Sequence, residues 1–307
     1  MTEISRRLTS ATPQWFVDAL GVPFAQRAVE VGGASISYLA WGEPGRRGLV
    51  FVHGGAAHAH WWTHVAAPFA ADFRVLAIDL SGHGDSDHRP TYSLDQWAEE
   101  VMAVAGHGEV AAQPVVVGHS MGGFVTIVTA ARHGSELGGV IVCDSPVTEP
   151  DPEIEPSATQ AFGRGGRVYD DVEEAVRRFR TVPPQDDYLD YVLDHVARRS
   201  LRAREAGWAW KFDRRVFEQF SGQLRHVSLP YLRKVTCRFA LLRSQRGLVT
   251  PDISATMYEA LGRRAPLIEL PEAGHHAMLD QPLVLITALR SLLADWDHST
   301  PLDLPEM

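Results

Sequence analysis

A doubly wound α/β fold, with a mostly parallel sheet and an inserted helical segment, is predicted by three features of this sequence. Two apolar runs, Leu49-Val50-Phe51-Val52 and Val115-Val116-Val117, end abruptly at glycine-containing turns. Uninterrupted apolar strands are what a parallel sheet covered on both faces requires. Shorter runs at Val75 to Ile78, Val140 to Cys143, Phe239 to Leu242 and Leu267 to Leu270 read as further strands, with helix-compatible stretches between them, the alternation that builds βαβ units. From about Pro146 to Lys234 the alternation stops.

In chain order, residues 1–26 form an N-terminal extension in which Thr12-Pro13 to Leu20, followed by Gly21, carries the start and stop signals of a short helix. Arg27 to Val31 and Ser35 to Ala40 alternate in polarity around Gly32-Gly33 and predict an antiparallel hairpin at a sheet edge. The core is expected over 27–145 and 235–297, with an insertion over 146–234 and a tail over 298–307. The insertion opens with Pro146, Pro150, Pro152 and Pro156, then places Val172, Ala175, Val176 and Phe179, and later Leu189, Val192, Leu193 and Val196, at helical spacing. Past it, Thr250-Pro251-Asp252 before Ala255 to Leu261 predicts a helix capped by threonine with proline in its first turn.

Composition narrows the function. Of 307 residues, 45% are hydrophobic and 22% charged, which is ordinary for a globular chain. The formal charge of -9 gives no basic footprint for nucleic acid or an anionic membrane. The insertion holds 15 of the 29 basic and 15 of the 38 acidic residues, so it is neutral and the remainder carries the whole negative charge; arginines on the outer faces of amphipathic helices account for most such patterns. No apolar run reaches the roughly 18 residues of a membrane span, and no apolar segment follows the N-terminal arginines as in a secretory signal. Cys143 and Cys237 are too few for a disulfide framework. A cytoplasmic protein acting on a small molecule is the expectation, without nucleic-acid or membrane partner and with its oligomeric state unspecified.

The chemistry centres on Gly118-His119-Ser120-Met121-Gly122-Gly123, which follows a buried strand and precedes the helix-compatible Phe124 to Arg132. A G-x-S-x-G stretch between strand and helix is a nucleophile elbow, with the serine on a sharp strained turn. Acyl transfer also needs two backbone N–H groups aimed at the developing oxyanion. The loop His53-Gly54-Gly55-Ala56 supplies one, so the amides of Met121 and Gly55 are the expected donors, with Ala56 as the near alternative. The histidines His53, His58, His60 and His64, with Asp79, His83, Asp85 and Asp87 after them, match no helix-borne zinc spacing; no metal or other cofactor is expected. Trp208, Trp210, Phe212, Phe217 and Phe220 near the end of the insertion could line an apolar pocket or form the insertion's own core, and Trp61 and Trp62 could wall the acyl side of the site.

Over roughly Arg27 to Trp296 the chain resembles the α/β-hydrolase superfamily. Four motifs in the family's order carry the resemblance: His53-Gly54, Asp79-Leu80-Ser81-Gly82-His83-Gly84-Asp85-Ser86, the Ser120 elbow, and Gly274-His275 with Pro282 downstream. The resemblance implies a serine hydrolase of a carboxylic ester, lactone or thioester of small to medium apolar character, with His275 as base and His276 as its rival. Carbon-carbon bond hydrolysis by the same fold, and a non-catalytic protein that captures a small ligand, are the alternatives. A serine at the elbow argues against haloalkane dehalogenase or epoxide hydrolase chemistry, which uses aspartate there. One position departs from the family pattern: where its acid usually stands, in Arg243-Ser244-Gln245-Arg246-Gly247, this chain has Gly247. An imidazole that becomes imidazolium needs a carboxylate, and some branches of the superfamily place it after the strand that follows the nucleophile helix. Asp144 closes that strand and is the expected acid, ahead of a serine-histidine pair without a carboxylate and of Asp252.

Overall fold

In a computed structural model the protein is described over residues 12–148, 168–219 and 224–299. Eight strands, β1 (Ala25–Val31), β2 (Ala34–Trp41), β3 (Arg47–Val52), β4 (Arg74–Ile78), β5 (Ala111–His119), β6 (Gly139–Cys143), β9 (Phe239–Arg246) and β10 (Leu267–Gly274), form one sheet in the order β1-β2-β4-β3-β5-β6-β9-β10, and β7 (Leu201–Arg204) pairs with β8 (Gly207–Trp210) outside it. The expected edge hairpin is β1 and β2, and β2 also pairs antiparallel with β4. From β4 onward, β3, β5, β6, β9 and β10 are parallel.

The apolar runs are explained by two cores, one on each face. Leu49, Phe51, Val115 and Val117 point to the face covered by the first helix (Gln14–Gly21) and the last (Pro282–His298). Val50, Val52 and Val116 point to the other, under α3 (Leu94–His107) and α4 (Met121–His133); α1 is the helix Gln14–Gly21 and α2 the short Thr63–Ala66. Successive strand residues alternate between faces, so every position of a central strand is apolar. Thr250 caps the helix Pro251–Ala260 by accepting from the Ile253 amide, as its sequence predicts.

Between β6 and β9 the chain leaves the sheet. Val172–Arg177 and Asp190–Arg199 are helices, but the segment is not helical throughout. Leu201–Arg204 and Gly207–Trp210 form an antiparallel hairpin in the register Leu201↔Trp210 and Ala203↔Trp208. Local composition there favours a helix, and tertiary packing overrides it: the hairpin buries Leu201 with Tyr169 and Ala175 in a small core of its own, against which Trp208 and Trp210 pack. The proline-rich opening at Pro150, Pro152 and Pro156, together with Phe220, lies outside the described residues. Among the described residues no helix is long and apolar enough to cross a membrane.

Candidate active site

Ser120 sits between β5 and α4 with φ 54° and ψ -121°, a conformation L-residues adopt only when the surroundings enforce it. The enforcement is visible. The Ser120 amide donates to the Cys143 carbonyl on β6 (3.1 Å), and α4 packs so closely on β3 that a Cβ at Gly122 would stand 2.4 Å from the His53 oxygen and 2.5 Å from that of Val52. The second glycine of the elbow is therefore required by backbone contact.

His275 leaves the end of β10 and brings its Nε2 within 3.0 Å of Ser120 Oγ. Its Nδ1 lies 2.7 Å from Oδ2 of Asp144. His275 and Asp144 are buried, while Ser120 is partly open. His276 turns away, with Nε2 against the Pro183 carbonyl (3.1 Å), and Asp252 is exposed on the first turn of its helix.

The geometry gives a physical reason for Gly247. Asp144, at φ 46° just past β6, projects its carboxylate into the loop after β9, where it accepts from the amides of Ser244 (3.2 Å), Leu248 (2.7 Å) and Val249 (3.2 Å). A Cβ at Gly247 would fall 2.3 to 2.5 Å from that carboxyl group. The acid arrives from the neighbouring strand and fills the space a side chain at 247 would need. Burial works to raise the Asp144 pKa, but the bond to His275, its charge and the amides outweigh it, and the group is held below the usual carboxylate range.

The loop of residues 53–56 lies against the elbow, since a Cβ at Gly54 would be 3.2 Å from the Ser120 Cβ. His53 holds this loop: its Nδ1 donates to the Gly54 carbonyl (2.7 Å) and its Nε2 accepts from the Leu80 amide (3.1 Å). Burial pushes its pKa down to about 4, so it is a neutral strut. Asp79 ties the adjoining loops by accepting from the amides of Ala59 (2.6 Å) and Asp85 (2.9 Å), and burial raises it to about 6. Met121 opens α4, so its N–H has no carbonyl one turn back. The would-be Cβ of Gly55 is 3.8 Å from the Met121 sulfur.

The sequence reading missed His119. Its Nε2 donates to the His275 carbonyl (2.8 Å), clamping the backbone that carries the imidazole, and burial followed by the nearby His275 lowers its pKa to about 3. Its place beside the elbow serine was the available signal. Gln185 was missed too; its Oε1 accepts from the His276 amide (2.8 Å). Nitrogens of His119, His275 and His276 lie within 4.8 Å of one another, whereas His58, His60 and His64 are engaged by Ser200 Oγ, Thr63 Oγ1 and the Met278 carbonyl.

A cavity of about 380 Å³ adjoins the site, with Gly55, Ala56, Trp61 and His276 from the core and Phe179, Trp210 and Phe212 from the insertion on its walls. Two tryptophans expected there lie elsewhere. Trp62, the residue preceding α2, is fully buried against Phe51, with ring centroids 4.9 Å apart. Trp208 faces the small core of the insertion hairpin. Phe217 is buried beneath Gly55.

The comparisons with known proteins agree with this architecture. The chain is 27% identical to the esterase Rv0045c of Mycobacterium tuberculosis over 275 residues, 86% of this chain and 88% of that protein. It is 28% identical over 276 residues to a 2-succinyl-6-hydroxy-2,4-cyclohexadiene-1-carboxylate synthase of Escherichia coli O17:K52:H18, covering 82% of this chain and 96% of the other. Its fold matches E-2-(acetamidomethylene)succinate hydrolase with a TM-score of 0.75 at 20% identity, over 89% of this chain and 100% of that one. The profile of the alpha/beta hydrolase family matches residues 49–288, and with that span taking in the elbow and the His275 loop, the chain belongs to this family.

Proposed function

We propose that the protein is a serine hydrolase that cleaves a carboxylic ester, lactone or thioester through an acyl-enzyme. The observation that carries this reading is the continuous line from Ser120 Oγ to His275 Nε2 (3.0 Å) and from His275 Nδ1 to Asp144 Oδ2 (2.7 Å). A neutral His275 whose Nδ1–H is held by Asp144 presents its Nε2 lone pair to the Ser120 hydroxyl. As Ser120 attacks the carbonyl carbon, the proton passes to His275, and the ionised Asp144 stabilises the imidazolium. The amides of Met121 and Gly55 receive the oxyanion, and losing one such donor costs about 3 kcal/mol of transition-state stabilisation. His275 then returns the proton to the leaving group and activates the water that releases the acyl group. No step calls for a cofactor. The esterase relative supports hydrolysis as the reaction class, and Trp61, Phe179, Trp210 and Phe212 suit a substrate with an apolar body.

Turnover of a p-nitrophenyl ester series from acetate to decanoate tests the reading. Wild type is expected to hydrolyse part of the series with an optimum set by the cavity, and Ser120→Ala to abolish turnover at nearly unchanged thermal stability. Turnover that survives in Ser120→Ala would overturn it.

A further inference from the structure

The cavity lined by Gly55, Ala56 and His276 has an uneven charge. Arg178, Arg180 and Lys211 are on its walls, and among the described residues no carboxylate is. All three come from the insertion, which holds 15 acidic residues as well as 15 basic ones, yet the lining takes the cations alone. Two of the cations are partly committed: Arg178 Nε donates to Glu174 (3.1 Å), and Lys211 Nζ bonds Asp85 (2.9 Å). Arg180 is different. Its Nη1 donates to the carbonyls of Arg177 (3.0 Å) and Phe179 (2.6 Å), which fixes the guanidinium at the end of the helix Val172–Arg177, and no carboxylate pairs with it among the described residues. The same wall carries uncharged polar groups: Thr181, whose Oγ1 is 2.6 Å from the Tyr188 hydroxyl, and the buried pair His58 and Ser200 (2.9 Å).

We propose that the preferred substrates are half-esters: molecules in which the cleaved ester is joined through an apolar stretch to a terminal anionic group, read by Arg180 with Arg178 and Lys211 beside it. The inference rests on the serine-hydrolase reading and deepens it. A guanidinium offers several N–H donors in a fork that matches a carboxylate or a phosphate oxygen pair, while the aromatic side chains of Trp61, Phe179, Trp210 and Phe212 hold the stretch between. Arg180 is exposed, so its attraction is screened by salt and moderate in size. In an otherwise acidic protein the local wall also offsets the repulsion an anionic substrate meets on approach.

The test compares kcat/KM for monomethyl dicarboxylates from succinate to suberate with methyl alkanoates of matched length, and with the matching ω-phosphate esters to separate carboxylate from phosphate. One anionic series is expected to exceed the neutral one by roughly tenfold at its best length, with an advantage that shrinks as salt rises and falls severalfold in Arg180→Gln. A ratio of one or below at every length, or an advantage indifferent to both salt and Arg180→Gln, would overturn the proposal. If no ester is turned over, fluorophosphonate labelling separates the two readings. Failure to label Ser120 removes the hydrolase reading itself. Rapid labelling that adipate slows and its neutral diamide does not supports the anion site, and equal protection by the two overturns it.

Discussion

The Asp144 carboxylate occupies the volume that a side chain at position 247 would need. With the carboxylate supplied from β6, position 247 has to be bare, since its Cβ would overlap the acid. Gly247→Asp is therefore expected to abolish ester turnover, by displacing Asp144 and placing a second buried carboxylate beside it. Asp144→Gly is expected to lose activity as well. The double variant returns an acid to the loop after β9 and is expected to recover at least about tenfold over Asp144→Gly alone, a coupling between contacting positions. A double variant no better than Asp144→Gly would show that the two positions do not substitute for one another. The departure was legible in the sequence, because Gly247 stood where a carboxylate was expected and Asp144 ended a strand at the carboxyl edge of the sheet. The supporting amides of Ser244, Leu248 and Val249 were not, since backbone donors carry no residue identity.

At the scale of elements, the strongest local signals translated directly. Thr250-Pro251 marked the start of the helix Pro251–Ala260, and the side-chain cap is present. Thr250→Ala is expected to cost about 1 kcal/mol of stability in urea unfolding while leaving ester turnover unchanged; no loss of stability would mean that solvent replaces the cap. β3 and β5 were readable because both faces are buried. β9 runs on to Arg246, beyond the apolar Phe239 to Leu242, because its later residues pair with β10, with Ser244 buried and Gln245 and Arg246 exposed. The hairpin Leu201–Arg204 with Gly207–Trp210 was not readable, since Leu, Arg, Ala and Glu favour a helix locally and only the contact with Tyr169 and Ala175 decides otherwise.

Across the whole molecule the buried histidines set the response to acid. His53 and His64 are lowered to about 4 and His119 to about 3, in each case first by burial, and His58, His83 and His276 are also held well below their ordinary value by burial. Each is neutral in the folded protein and protonates near 6.5 when unfolded. Their stabilisation is therefore complete above pH 6.5 and is lost as the pH falls toward 4, at up to about 1.4 kcal/mol per pH unit for each group. Asp79, raised to about 6 by burial, and Glu100 and Asp280, also raised by burial, act in the opposite sense, destabilising as the pH rises through the ordinary carboxylate range toward their folded values, but they are three groups against six. The urea midpoint is expected to fall steeply between pH 7 and 5. A midpoint constant over that range would mean that these imidazoles reach water or are protonated in the fold.

The rate at which a fluorophosphonate labels Ser120, compared among wild type, Asp144→Asn and Asp252→Asn, tests the proposed Ser120–His275–Asp144 triad most directly because it needs no knowledge of the substrate. Labelling is expected to be rapid in wild type and in Asp252→Asn, and slower in Asp144→Asn by on the order of 10³. Equal rates in wild type and Asp144→Asn, or a collapse confined to Asp252→Asn, would contradict the assignment of Asp144 as the acid that serves His275.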